Sequence, residues 1–196
     1  DIVCLDLEGV LVPEIWIAFA EETGIPELKA TRDEPDYNKL MNYRLNILRE
    51  HGLGLKEIQE TISKIDPLPG AREFLDKLKE ITQVIIISDT FSQFAGPLMK
   101  KLGYPTIFAT LWLSAKMVDT DFKMRCEKSK YTTVKALQSC GFETIASGDS
   151  HNDLAMIEAS KAGFLFADGG DQAEYPQIPA YETYDELLEA IKKVLA

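Results

Sequence analysis

The chain has 196 residues, 45% of them hydrophobic, and 21 Lys and Arg stand against 32 Asp and Glu for a formal net charge of −11. This composition excludes a disordered chain and is long enough for one α/β domain, or one domain with an insertion. So acidic a balance, with no cluster of Lys or Arg, excludes nucleic acid as a partner; a small phosphorylated ligand, which needs only a few local cations, stays open.

Residues 2–5, "IVCL", form a short apolar run that reads as a buried strand. The run meets "DLEGV", which delivers Asp6 and Glu8 two positions apart. Positions i and i+2 of an extended chain point to one side, so both carboxylates are expected to face one cavity. From 13 to 65 no convincing strand occurs. Residues 15–22, 37–51 and 56–63 read as helices, with Trp16 and Phe19 at helical spacing as internal packing. "DPLPG", 66–70, reads as the return hinge, punctuated by Pro and Gly.

Residues 71–81 then predict a helix with Phe74, Leu75 and Leu78 inward. Residues 84–87 predict a second strand, followed by Ser88 and Asp89, with Thr90 and Phe91 next to them. Residues 107–118 alternate less cleanly and read as a β-hairpin. A helix over 132–138 precedes a strand over 144–147, which leads into "SGDSHND" with Asp149 and Asp153. A helix at 154–159, a strand at 163–166 and a closing helix at 184–195 complete the chain. Strands alternating with helices imply an α/β fold: a doubly wound, parallel, Rossmann-like sheet covered on both faces. The core is expected over 1–12 and 66–196, with a small helical cap, 13–65, inserted after the first strand.

Cys4, Cys126 and Cys140 form no C-x-x-C pair, so a reduced compartment is expected. No apolar stretch approaches the roughly 18 residues of a membrane span, and no basic-then-apolar leader opens the sequence. The expectation is a cytoplasmic protein with no membrane partner.

In open parallel sheets ligands bind beyond the carboxyl ends of the strands. Three strands here end in acids or a hydroxyl: Asp6 and Glu8, Ser88 and Asp89, Asp149 and Asp153. Any one of them alone is an ordinary turn or cap residue, and Asp149–Ser150 suits the cap of a helix beginning near Asn152. Together they repel and need a cation. The donors are all oxygens, which suits Mg²⁺, a metal that takes one or two carboxylates and shares oxygens with phosphate.

"DLEGV", "SDT", a downstream Lys and "GDSHND", in that order, resemble the four motifs of the haloacid dehalogenase-like phosphotransferases. The resemblance implies that Asp6 is a nucleophile forming an aspartyl-phosphate and that Glu8 is the general acid and base. It implies that Ser88 binds a phosphoryl oxygen, with Asp89 beside it, and that Lys130 is the phosphate-binding cation, Lys128 and Lys135 being its rivals. It implies that Asp149 holds Mg²⁺ with Asp6 and the carbonyl of Glu8, supported by Asp153. Most phosphatases of the family carry Asp where Glu8 stands. "DLEGVLVPEIW", "MNYRLNILREHGL" and "IISDTF" resemble a narrower branch, the phosphoserine phosphatases, especially those that also transfer phosphate to homoserine. This branch implies phosphoserine as substrate and homoserine as an acceptor. It implies that Glu14 pairs with the ammonium, that Arg44 rather than Arg49 grips the carboxylate, and that Asn152 touches phosphate or substrate. His151 reads as a loop residue, and exposed cap helices would suit a homodimer. Two other readings stay open: a phosphatase of another small metabolite, and a phospho-accepting receiver-like domain.

Overall fold

The structure, a computed structural model, describes residues 1–29, 37–112, 122–123, 125–166 and 175–195. Strands β1 (Ile2–Leu5), β2 (Gln83–Phe91), β3 (Ile107–Trp112), β5 (Thr144–Gly148), β6 (Ala162–Phe166) and β7 (Ala180–Tyr181) run parallel in one sheet. A short β4 (Phe122–Lys123) pairs antiparallel on the β3 edge, giving the order β4-β3-β2-β1-β5-β6-β7. The chain moves outward from β1 through β2 to β3, then returns to β5 on the other side of β1. The carboxyl ends of β1 and β5 therefore lie at the point where the strand order reverses, where such sheets open a crevice.

Alternation along β1 sorts its side chains between the two faces. Val3 and Leu5 join a cluster with Ile86, Ile145 and Phe164, and with Phe74 and Leu75 of α4 (Ala71–Lys79) and Leu187 and Ile191 of α8 (Tyr184–Leu195). Ile2 and Cys4 join Ile87 and Ala146, with Val134 of α6 (Ser129–Ser139) and Met156 and Ile157 of α7 (Leu154–Ala159). One step beyond the strand, the same alternation turns Asp6 towards the face that α6 covers.

Between β1 and α4 lie α1 (Ile15–Thr23), a 3-10 turn (Pro26–Lys29), α2 (Tyr37–Glu50) and α3 (Leu55–Ile62). Their apolar residues, among them Trp16, Phe19, Leu45 and Ile58, belong to the same continuous cluster as the sheet's α4–α8 face. The entering and returning segments are tied where they pass, the Leu68 amide donating to the Leu11 carbonyl at 3.0 Å.

Several expectations needed correction. Ser88 and Asp89 do not follow the second strand but lie inside it; β2 runs on to Phe91, with a pairing irregularity against β3 between Ile87 and Phe91 that redirects the side chains there. Residues 107–112 are a core strand parallel to β2. Its antiparallel partner is at 122–123, later than the hairpin expected over 107–118, of which 113–118 lie outside the described residues. A helix α5 (Ser92–Lys101) was not anticipated, because Gly96 and Pro97 interrupt its pattern; Phe94, Ala95, Leu98 and Met99 nevertheless bury one face. The 3-10 turn at 26–29 and the two-residue β7 were also missed, both too short to carry a period. α4 ends at Lys79, two residues early, and α6 begins at Ser129, three residues early.

Candidate active site

A cavity of about 190 Å³ opens at the crevice, lined by Asp6, Glu8, Ser88, Asp89, Lys130, Asp149 and Asn152 together with Glu14 and Arg44. Nine sequence-singled residues from β1, β2, α6, the β5–α7 connection and the inserted helices thus meet in one place. Asp153, the tenth, lies behind the wall at 0% exposure.

Lys130, 6% exposed on the first turn of α6, organises the floor. Its Nζ donates to Asp6 Oδ1 at 2.9 Å and to Asp153 Oδ1 at 2.6 Å. Burial alone would lower its pKa, but Asp153, Asp6 and Asp89 outweigh that and raise it, so the ammonium stays charged. Its rivals point away: Lys128 is exposed as the residue before the helix, and Lys135 is exposed and donates to Gln138. Asp6 Oδ1 also accepts from the Leu7 amide at 2.8 Å. Burial, then Asp153, push the Asp6 carboxyl up against the opposing pull of Lys130.

Asp153 is a scaffold for the loop that carries Asp149. Its Oδ2 accepts from the amides of Asp149 and Ser150 at 3.1 Å each and from Ser150 Oγ at 3.2 Å, closing a capping box over a 3-10 turn (His151–Asp153). The segment caps a helical turn, as expected, and also lines the cavity through Asp149, Ser150 and Asn152. Burial, then repulsion from Asp153 and Glu14, push Asp149 up to about 7. Two glycines make room. A Cβ on Gly9, whose φ is +75°, would sit 2.0 Å from Asp149 Oδ2, and one on Gly148 would sit 2.1 Å from Asp153 Cγ.

Glu8 leans on the inserted helices. Its Oε2 accepts from the Ile15 amide at 2.9 Å, so it, and not the adjacent Glu14, satisfies the first turn of α1. Burial and Glu14 push Glu8 up to about 7. Ser88 Oγ accepts from the Thr90 amide at 3.2 Å, and Asp89 takes the hydroxyl of Ser129 next to Lys130. Arg44 is 5% exposed and lies over the Trp16 ring at 4.7 Å, whereas Arg49 is exposed and donates to Asn46. Trp16 packs as expected, edge-on to Phe19 and tilted on Phe94, but it also lines the cavity. Thr90 and Phe91 line it too. Leu40 and Met41 were overlooked; they precede Arg44 by one helical turn, a spacing that places them on its face. His151 stays outside the cavity lining, its Nδ1 2.8 Å from the Tyr175 hydroxyl.

Asp6, Asp149 and Asp153 each bring a carboxylate oxygen within 4.8 Å of the others. Hard oxygen donors, with two carboxyls pushed up by burial and mutual repulsion, fit a divalent cation such as Mg²⁺.

An aspartate aimed from the central strand, a buried lysine and an acidic group across from it define a phosphoryl-transfer enzyme of the α/β class. The chain belongs to the haloacid dehalogenase-like hydrolase family, whose model matches residues 1–161. Among curated proteins it is 51% identical over 193 residues to "Phosphoserine phosphatase ThrH" of Pseudomonas aeruginosa, covering 95% of this chain and 93% of that one. It is equally 51% identical to a phosphoserine phosphatase of Pseudomonas syringae pv. tomato, covering 80% of that protein. Among solved structures, a phospho-aspartyl intermediate analogue of phosphoserine phosphatase superposes with a TM-score of 0.77 at 21% identity, over 96% of this chain and 97% of that one. A substrate-bound phosphoserine phosphatase complex gives the same TM-score at 22% identity, over 98% and 97%. Family membership removes the receiver-like reading. Among the described residues no helix is long and apolar enough to cross a membrane.

Proposed function

We propose that this protein is a Mg²⁺-dependent phosphoserine phosphatase, working through a phosphoryl group carried on Asp6, with residues 13–65 acting as a cap over the core. The observation that carries the reading is the polarity of the cavity. The core contributes Asp6, Ser88, Lys130 and Asp149 to its lining, and the inserted segment contributes one acid, Glu14, and one base, Arg44. A phosphomonoester that is also a zwitterion matches both sets, whereas a sugar phosphate offers neither an ammonium nor a carboxylate.

Asp6, Asp149 and the carbonyl of Glu8, with Asp153 in support, would hold Mg²⁺, which would supply positive charge for the phosphoryl oxygens. The residues do the rest. Asp6 Oδ1 is held by Leu7 and Lys130, which leaves Oδ2 to attack phosphorus and form the aspartyl-phosphate. Lys130, Ser88 and the edge of the cavity at Asn152 receive the phosphoryl oxygens as charge spreads over them. Glu8 Oε2 is anchored on the Ile15 amide, so Oε1 gives its proton to the leaving serine oxygen and then takes one from water. A carboxyl pushed up to about 7 is suited to both halves of that task near neutrality. Arg44 grips the carboxylate bidentately and Glu14 pairs with the ammonium.

Glu8 also favours a second outcome for the same intermediate. The site vacated by serine can hold another amino alcohol between Glu14 and Arg44 with its hydroxyl towards Glu8. Homoserine, one methylene longer, would then compete with water, with the advantage of being oriented.

A phosphate-release screen across phosphorylated metabolites, with Mg²⁺ and with chelator, tests the reading. Phosphoserine is expected to lead, with activity only in the presence of the metal. A sugar phosphate or nucleotide far ahead of phosphoserine overturns the substrate assignment. Phosphorus NMR with excess homoserine tests transfer; inorganic phosphate as the sole product leaves a plain phosphatase.

A further inference from the structure

We infer that Trp16 is the positioning residue for Arg44, holding the guanidinium in place to read the substrate's carboxylate and tying that recognition to the seating of the inserted helices on the core. The inference rests on the phosphoserine reading above and adds to it the residue that sets its selectivity. Arg44 and Trp16 belong to different helices, α2 and α1, so helical spacing does not bring them together; packing does. The guanidinium carbon lies 4.7 Å from the ring centroid, and both residues are buried, at 5% and 6% exposure. An arginine side chain is long and loses much rotamer freedom when immobilised. An aromatic ring restrains it through the cation–π attraction, which uses none of the N–H donors that a planar carboxylate needs.

The ring is itself braced from the core. Trp16 lies 5.5 Å from the Phe94 ring, and Phe94 meets Phe91 edge-on at 5.2 Å. Phe94 belongs to α5 and Phe91 ends β2, three residues after Ser88. A row of contacts, Arg44–Trp16–Phe94–Phe91, thus runs from the carboxylate end of the cavity to the strand that carries Ser88. If the inserted helices shift away, Trp16 leaves its brace on Phe94, and the platform under Arg44 is no longer held from the core.

The test compares phosphoserine with phosphoethanolamine, which keeps the ammonium and phosphate and lacks the carboxylate, in the full chain with Mg²⁺. Trp16→Leu is expected to lower the kcat/KM selectivity for phosphoserine over phosphoethanolamine about tenfold, through KM rather than kcat. Trp16→Phe, which restores an aromatic face, is expected to recover most of it. In a double-mutant cycle, Trp16→Leu should cost no further selectivity once Arg44→Ala is present. KM is insensitive to a partly misfolded preparation, and Trp16→Phe keeps the aromatic packing if the leucine variant fails to fold. Equal losses on both substrates, a Trp16→Phe variant as unselective as Trp16→Leu, or additive losses with Arg44→Ala each overturn the inference. Arg44→Ala with selectivity intact overturns the carboxylate reading and this inference together. Arg44→Ala unselective while Trp16→Leu keeps wild-type selectivity overturns this inference alone.

Discussion

The hydroxyl of Tyr184 donates to the carbonyl of Val10 at 2.6 Å, joining residues 174 positions apart. Its ring is stacked between Phe74 and Phe166, at 4.9 and 4.6 Å. The first residue of the last helix therefore pins the loop that follows Asp6 and Glu8 and leads into the inserted helices. Tyr184→Phe keeps the stack and leaves a buried carbonyl without its donor. A loss of about 1–3 kcal/mol is expected in chemical denaturation, with a smaller fall in kcat as the Glu8 loop loosens. Unchanged stability would show that water replaces the phenol.

Asp6→Asn is isosteric and leaves Lys130 its contact to Asp153, so the fold should persist. Turnover should fall by about a thousandfold or more, since the amide is no nucleophile. Circular dichroism alongside phosphate release checks both halves. Wild-type activity in this variant would rule out an aspartyl-phosphate at this position.

Glu8, Asp149 and Asp6 all titrate higher folded than unfolded, with burial as the first cause. Raised carboxyls favour the folded state while protonated. That contribution is complete below the ordinary carboxylate range and is lost as pH rises through about 7. The metal-free protein should therefore lose thermal stability between about pH 4 and 7, and Mg²⁺ should reverse much of that loss. Melting curves that stay flat with pH in the presence of chelator would show that the acids are not crowded in solution.

Gly9→Ala places a methyl against Asp149 at a backbone angle that costs an L-residue about 1–2 kcal/mol. Weakened Mg²⁺ binding by calorimetry and a large drop in kcat are expected, with a stability loss of that order. Undiminished metal affinity would separate Asp149 from the metal.

Cys140 is exposed and Cys4 is buried on β1, where burial pushes its thiol up to about 12. A thiol reagent at pH 8 should label Cys140 rapidly and Cys4 only after unfolding. Mass mapping of the labelled peptides reads this out, and rapid labelling of Cys4 in the native protein would mean that the β1–α6 face opens readily.

The sequence by itself determined the sheet and most of the site. Short, mostly apolar runs at 2–5, 84–87 and 144–147 lead into acids or a hydroxyl, and a fourth at 163–166 is similar; they define four of the parallel strands and the edge at which they deliver chemistry. Asp6, Glu8, Ser88 and Asp149 were legible for that reason, whereas Lys130, at a helix start, was legible only through the resemblance of the motifs. A motif is a local pattern, found without knowing what packs against it.

Tertiary structure decided what local pattern cannot carry. α5 folds across a Gly-Pro pair because the face formed by Phe94 and Leu98 is buried, which outweighs the helix-breaking preference. β2 runs on past Ser88 and Asp89 because its neighbour β3 pairs with it again at Phe91, opposite Thr110. Glu8 finds the amide of Ile15 seven residues on, and Asp153 also anchors Lys130 and the Asp149 loop. The choice of Arg44 over Arg49 and Lys130 over Lys128 or Lys135 rests on which face of a helix packs inward. The platform beneath Arg44 exists only because α1, α2 and α5 converge, since contact energy between distant segments depends on packing that no short window of sequence contains.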